Sequence, residues 1–179
     1  MSQVGYLLVP VAVAGRSDLA LPSLLFYLAG YTVTNSAAFA VTTALPDRRD
    51  ITSYKGSARV QPWLAGALVV ALLGLVGTPP TAVFVGKLTT ATAAWDGGLA
   101  WLAVVVFINT LVSLFYYLRW IVPSFRPLDG PAEGRAPARW STVSAILTAG
   151  LSLALGIAAG VAWEVLAATP NEATTPTVQ

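Results

Sequence analysis

Lys87 is the residue of this sequence whose surroundings best suit proton chemistry. It lies well inside an apolar segment, whereas the other charged residues occupy polar stretches or lie near segment ends. A lysine in hydrocarbon costs about 2.5–3.5 kcal/mol on insertion scales, so it normally faces a protein interior or water. Two interpretations are open: Lys87 is a proton carrier, or its long side chain extends to the membrane interface near Trp95.

The apolar segment that contains Lys87 is interrupted by a short helix-breaking stretch made of Gly77, Thr78, Pro79 and Pro80. The whole segment, 63–94, would be roughly 48 Å long as one helix, well over the ~30 Å hydrocarbon thickness. Two prolines remove two backbone donors, so we predict that the helix breaks there, with a plain kink as the alternative. Broken helices at membrane depth occur where the freed backbone lines protein or water, and transporters use them at ion sites. Lys87 lies near the positive N-terminal end of the second half-helix, which would disfavour the charged ammonium.

Polar residues near Lys87 suggest a path along which a proton could move. Thr90 shares a helix face with Lys87, and Asn109 and Ser113 lie in the next apolar segment. Such residues can hold water, but they also hydrogen-bond neighbouring helices without any transport role. Gly156 and Gly160 have the spacing of a close helix contact, within the chain or with another subunit.

The residue types exclude several kinds of site. The sequence has no His and no Cys, which excludes soft-metal, thiol and iron–sulfur chemistry by this chain. It has no phosphate-binding loop, no dinucleotide fingerprint and no paired carboxylates within an apolar segment. We therefore expect this chain to bind neither a cofactor nor a metal, and to hold no redox centre.

The composition indicates the elements that must position these residues. Of 179 residues, 56% are apolar and 10% are charged, against about 25% charged in a soluble domain. Four apolar segments are long enough to span a membrane, at 21–45, 63–94, 99–122 and 141–168, while the one at 4–15 is too short. We predict an all-α polytopic bundle over 1–168, with about four full spans, a truncated N-terminal helix and one span broken at Gly77–Pro80. The first apolar segment is either the second half of a longer helix or a signal peptide, and the polar tail 169–179 is expected to be disordered.

Charge and tryptophan positions predict the orientation. Seven of the ten Lys and Arg residues lie in the loops 46–61 and 123–139, so both loops should be cytoplasmic, with the C-terminus outside. All six tryptophans lie at or near segment ends, as in the aromatic belts of membrane proteins. The net charge of +2 is too small to indicate a nucleic-acid partner.

Several motifs resemble the antiporter-like membrane subunits of respiratory complex I, most closely those of the subunit N type. They are Leu25-Phe26-Tyr27, Pro62-Trp63-Leu64-Ala65, Gly77-Thr78-Pro79-Pro80-Thr81 and Phe84-Val85-Gly86-Lys87. The resemblance covers most of 1–126 and corresponds to the C-terminal part of family members, which have about fourteen transmembrane helices. Thr78 and Val83 depart mildly from the family pattern.

The resemblance implies proton translocation as part of an NADH:quinone oxidoreductase in the bacterial plasma membrane. Lys87 matches the family's lysine on its second broken helix, so it would be the proton carrier. The partners would be other membrane subunits, the N-terminal half of the antiporter-like subunit, and lipid. NAD, flavin, iron–sulfur clusters and quinone would be bound by other subunits. The alternatives are a subunit of a multi-subunit Na⁺/H⁺ antiporter, and an inactive fragment or structural membrane module.

Overall fold

The computed structural model describes residues 2–127 and 136–161, and these residues form helices and no strand. The seven α-helices in this part of the chain are α1 (Ser2–Ala12), α2 (Ala20–Ala44), α3 (Ser57–Val60), α4 (Pro62–Val76), α5 (Ala82–Asp96), α6 (Ala100–Phe125) and α7 (Arg139–Ile157). A 3-10 turn, Ile51–Tyr54, lies between α2 and α3. The all-α prediction is confirmed.

The helices match the predicted spans. By length and composition α2, α6 and α7 can each cross a membrane. The remaining predicted span, 63–94, is divided into α4 and α5, which have 15 residues each. With 11 residues, α1 is too short to cross. The structure is therefore a multi-pass membrane bundle with one broken span, as predicted.

Helix α2 lies at the centre of the bundle and packs against α1, α4, α5 and α7. Small residues allow this close packing, since Ala37 and Ala44 are fully buried on its inner face. By contrast, α6 exposes large apolar side chains such as Leu111 and Phe115. An apolar face of this kind suits contact with lipid or with another membrane subunit.

The described residues that flank the two basic loops lie at the same end of the bundle, which we call the loop side. The backbone N–H of Ala138, just before α7, donates to the carbonyl of Ala44 at the end of α2, with N and O 3.1 Å apart. The exposed Trp63 and Trp140 lie at this end, each as the second residue of its helix, α4 and α7 respectively. Which side of the membrane this end faces stays a prediction. Residues Trp163, Glu164, Arg135 and the tail 169–179 lie outside the described residues.

Candidate functional site

The helix break begins at Gly77, whose backbone is left-handed with φ = 88°. A glycine adopts this conformation without steric cost, which is why it commonly ends a helix. Its N–H donates to the carbonyls of Leu73 (3.1 Å) and Gly74 (2.8 Å), and the N–H of Thr78 also donates to Leu73 (3.1 Å). The chain then runs without helical structure until Thr81, after which α5 begins. The plain-kink alternative is therefore wrong.

The two prolines leave two carbonyls of α4 without their usual donors. In a continuous helix the N–H of residue 79 would bond to Leu75, and that of residue 80 to Val76. Proline has no N–H, so neither bond can form. Both carbonyl oxygens lie at the carboxyl end of α4, which carries the negative end of that helix's dipole. The break thus presents, inside the bundle, two carbonyl acceptors that have no backbone N–H donor from the helix.

Lys87 supplies donors to both carbonyls. Its Nζ donates to the oxygen of Val76 at 2.7 Å and to that of Leu75 at 3.3 Å. The side chain is 4% exposed, and Nζ lies 4.3 Å from the centre of the Tyr6 ring, within cation–π range. The side chain is therefore directed into the bundle, which does not fit the interpretation that it extends to the membrane interface.

The helix dipole that Lys87 contacts was missed from the sequence. Nζ lies at the negative carboxyl end of α4, and the expected influence of the positive N-terminal end of α5 stays a prediction. Side chains of an α-helix point back towards its N-terminus, so Lys87 extends across the break to the other half-helix. No ion pair of Lys87 occurs among the described residues, so carbonyl oxygens and a ring face form its electrostatic surroundings.

A buried network missed from the sequence surrounds the same carbonyls. The Gln3 side chain of α1 donates from Nε2 to the Leu75 oxygen (2.7 Å) and contacts the Tyr117 hydroxyl (3.4 Å). The Tyr27 hydroxyl donates to Gln3 Oε1 at 2.6 Å. Gln3 is 5% exposed and Tyr27 is fully buried. A glutamine within an apolar helix was the one sequence signal that could have indicated this network.

Close packing between α5 and α2 positions this network. A Cβ atom on Gly86 would lie 2.9 Å from Cδ2 of Tyr27, closer than real Cβ contacts allow. A glycine next to Lys87 therefore lets α5 approach Tyr27. Similarly, a Cβ on Gly77 would lie 2.9 Å from Cδ of Lys87, so the break also accommodates the lysine side chain.

In the described residues, the three residues of the predicted polar path are not hydrogen-bonded to Lys87. Thr90 is fully buried, and its hydroxyl has no hydrogen-bond partner among the described residues. Ser113 is buried and donates to the carbonyl of Asn109 on its own helix at 2.8 Å. Asn109 also lines an apolar cleft of about 300 Å³ between α1 and α6, together with Tyr6. In the described part of the chain no hydrogen bond links these three residues to Lys87, so their role stays a prediction.

We expect Gln3 and Tyr27 to stabilise the bundle as a coupled pair. Gln3→Leu leaves the Tyr27 hydroxyl unpaired, and Tyr27→Phe leaves Gln3 Oε1 unpaired, at about 1–3 kcal/mol for each buried group. The double substitution leaves neither atom unpaired, so its cost should be smaller than the sum of the two single costs. Thermal or denaturant unfolding in detergent measures all three. Tyr116→Phe, on a tyrosine that is 66% exposed, is the control and should change little. Additive costs would contradict the coupling.

Comparison with known proteins gives consistent matches. The family described as NADH:quinone oxidoreductase/Mrp antiporter, TM matches residues 1–113. NADH-quinone oxidoreductase subunit N of Mycobacterium sp. (strain JLS) is 71% identical over 168 residues, which cover 93% of this chain and 36% of that relative. Subunit N 1 of Streptomyces griseus is 60% identical over 149 residues, or 83% of this chain and 31% of that relative. The chain thus spans about a third of the length of these curated relatives.

Two solved structures resemble the fold. One is respiratory complex I from Thermus thermophilus with bound aureothin, with a TM-score of 0.75 and 32% identity over 90% of this chain and 37% of that chain. The other is the Mrp complex from Dietzia sp. DQ12-45-1b, with a TM-score of 0.82 over 93% of this chain and 40% of that chain. At 21% identity the second likeness concerns the fold alone. The broken helix, the family match and the identity to subunit N relatives lead to one conclusion: this chain belongs to the NADH:quinone oxidoreductase/Mrp antiporter family of membrane subunits.

Proposed function

We propose that this chain translocates protons across the membrane as part of an NADH:quinone oxidoreductase complex. The observation that carries the proposal is Lys87, a buried lysine held on the two carbonyls that the double proline leaves free. The proposal is further supported by the 71% identity to a relative named as a subunit of that enzyme. The energy would come from quinone reduction in other subunits.

The geometry around Lys87 suits a group that gains and loses a proton. A neutral lysine amine has two N–H bonds and one lone pair, whereas the ammonium has three N–H bonds. Two N–H bonds are enough for the oxygens of Leu75 and Val76, so the amine can keep both hydrogen bonds while its lone pair accepts a proton. The ammonium that forms has a third N–H, and it can pass that proton on and return to the neutral amine. The Tyr6 ring and the negative end of α4 would stabilise the charged state.

Water would connect Lys87 to its proton donors and acceptors. Thr90, one turn further along α5, has a buried hydroxyl that makes no hydrogen bond in the described residues. Buried polar groups without a protein partner commonly bind water. We assign Thr90, Asn109 and Ser113 to this polar path, with Thr90 nearest to Lys87 in sequence.

The membrane location, the orientation and the partners that we propose are those of the same family. The chain would lie in the bacterial plasma membrane, with loops 46–61 and 123–139 in the cytoplasm and the C-terminus outside. Its partners would be other membrane subunits of the complex, the remaining part of the antiporter-like subunit, and lipid. NAD, flavin, iron–sulfur clusters and quinone would be bound by other subunits.

The second candidate is a subunit of a multi-subunit Na⁺/H⁺ antiporter. The observation in its favour is the fold likeness to the Mrp complex. Purification of the tagged chain from its own membranes in mild detergent distinguishes the two. We expect flavin- and iron–sulfur-containing subunits to co-purify, and NADH oxidation to drive proton uptake into vesicles that contain the preparation. Co-purification of small membrane subunits alone, with Na⁺-driven proton exchange, would support the antiporter instead.

A further inference from the structure

A large apolar groove runs between α4 and α7 on the surface of the bundle. Its volume is about 550 Å³, and it begins at the loop side beside Pro62 and Trp63. It continues for two turns of each helix, as far as Val70 on α4 and Leu153 on α7. Two turns rise about 11 Å, which is less than the roughly 15 Å depth of the hydrocarbon in one leaflet. The other lining residues are Gly66, Ala67, Ile146, Ala149 and Gly150.

Two glycines make this groove wide. Gly66 and Gly150 lie on its two walls, and a Cβ atom on either would have no protein atom within 4 Å. The contact between α4 and α7 therefore needs neither glycine, in contrast to Gly156, which packs against backbone atoms of the break. Glycine inside a helix is less favourable than alanine, so its presence on both walls indicates that the open space is used. Because the walls are apolar, a hydrocarbon group suits this space.

The loop-side end of the groove favours an anion. Both α4 and α7 begin at this end, and neither has a side-chain hydrogen bond at its N-cap or an acidic residue in its first turn. The N-cap residue of α7 is Ala138, whose side chain has no acceptor. The first turn of a helix has N–H groups without helical partners and carries the positive end of the dipole, and both attract phosphate groups.

Arg139 adds a full positive charge at the same end of the groove. It is the first residue of α7 and precedes Ile146 by two turns and Leu153 by four, so all three share one face of the helix. Arg139 is exposed, its guanidinium lies 6.0 Å from the centre of the Trp140 ring, and among the described residues no carboxylate pairs with it. Arg59, in the last turn of α3 just before α4, is a second exposed cation at this end. The groove is thus apolar along its length and positive at its mouth.

We propose that this groove binds an acidic phospholipid, with an acyl chain between Gly66 and Gly150 and the headgroup phosphate beside Arg139 and the two helix N-termini. A zwitterionic lipid offers the same acyl chain, but its headgroup also carries a positive amine and gains less from these charges. A helix of another subunit, about 10–12 Å across with its side chains, is the competing occupant and would bring no phosphate to Arg139. Lipid binding here stands independently of proton translocation.

Photolabelling with lipid probes tests the proposal. Phosphatidylglycerol or phosphatidylcholine, each with a diazirine in the middle of one acyl chain, is added to phosphatidylcholine vesicles that contain the assembled protein. After illumination, mass spectrometry identifies the labelled residues of this chain. Arg139→Gln removes the charge, and its control is Arg126→Gln, on an exposed arginine at the loop-side end of α6. Gly66→Leu fills the groove, and its control is Gly5→Leu on α1, where a Cβ atom also meets nothing within 4 Å.

We expect the phosphatidylglycerol probe to label residues 62–70 and 146–153 about fivefold more than the phosphatidylcholine probe, the factor that attraction to one basic residue at a membrane surface supplies. Arg139→Gln should remove most of this difference, and Gly66→Leu should lower labelling of the groove by both probes, whereas both controls should match the unmodified protein.

Three results would each overturn the proposal. Equal labelling by the two probes would show ordinary contact with bulk lipid, and no labelling of the groove would show that another subunit covers it. An unchanged preference in Arg139→Gln would show that the headgroup does not bind there. If Gly66→Leu fails to assemble, Arg139→Gln still decides, because it alters only an exposed side chain. The assay involves no turnover, so its failure is separate from any failure of proton translocation.

Discussion

Lys87→Met is expected to abolish the proton flux through this chain while the bundle still assembles. Methionine has nearly the shape of lysine and can occupy the space beside Gly77, but it can neither hold nor release a proton. A positioned side chain contributes about 10²–10⁴-fold to a proton-transfer step, so we expect this flux to fall at least about 100-fold. The Val76 carbonyl loses the donor that Lys87 supplies, whereas the Leu75 carbonyl keeps Gln3 as its donor. Vesicles energised with NADH, with a pH-sensitive dye inside, measure the remaining proton uptake.

The matched control for this variant is Leu88→Met, on the next residue of α5. Leu88 is 39% exposed, whereas Lys87 is buried. The control should therefore pump as the unmodified protein does. Assembly is checked by the yield of the complex and its quinone-reductase rate. Unchanged proton uptake by an assembled Lys87→Met complex would remove Lys87 from the proton path.

Gly156→Ala is expected to destabilise the break between α4 and α5, because Gly156 of α7 packs against the break. A Cβ atom at this position of α7 would collide with the Pro80 carbonyl oxygen and lie 2.5 Å from the Thr81 carbonyl carbon. These neighbours are backbone atoms and cannot rotate aside, so either α7 or the break must move. Overpacking of this kind costs about 1–3 kcal/mol, and occasionally more. The melting temperature in detergent should fall by several degrees, and proton uptake should fall with it.

Gly150→Ala provides the matched control on the same helix. A Cβ atom there meets nothing within 4 Å, so no atoms need to move. Alanine favours a helix over glycine by about 0.8–1.0 kcal/mol, so this variant should be as stable as the unmodified chain or more so. Equal melting temperatures for the two variants would show that α7 does not press on the break.

Local sequence chemistry was sufficient to predict the break, but it left open whether Lys87 is buried or extends to the membrane interface. Two adjacent prolines cannot continue a helix. A lysine deep in an apolar segment needs polar groups or water around its ammonium. The contact of that lysine with the other half-helix could not be predicted from the half-helix that carries it. The backward tilt of helical side chains brings Nζ to the other half-helix, where the same prolines have freed the carbonyls.

The rest of the site depends on contacts that are distant in sequence. Gln3 meets Tyr27 across 24 residues, Leu75 across 72 and Tyr117 across 114. Only the packed bundle brings these groups together, since each lies on a different helix. The spacing of Gly156 and Gly160 predicted a close helix contact, within the chain or with another subunit. Gly156 packs tightly within the chain, whereas a Cβ on Gly160 meets nothing within 4 Å, so a contact of Gly160 with another subunit stays a prediction. The spacing of two glycines predicts that a close helix contact exists, whereas the position of the neighbouring helix decides which glycine makes it.

The central claim is that Lys87 works by releasing a proton and not merely by carrying a positive charge into the bundle. Arginine keeps the charge and can donate to the Leu75 and Val76 carbonyls, but it stays protonated in proteins. The most direct measurement is therefore the number of protons translocated per NADH oxidised by the assembled Lys87→Arg complex in vesicles. The account predicts a lower ratio than in the unmodified complex, and an unchanged ratio would contradict it.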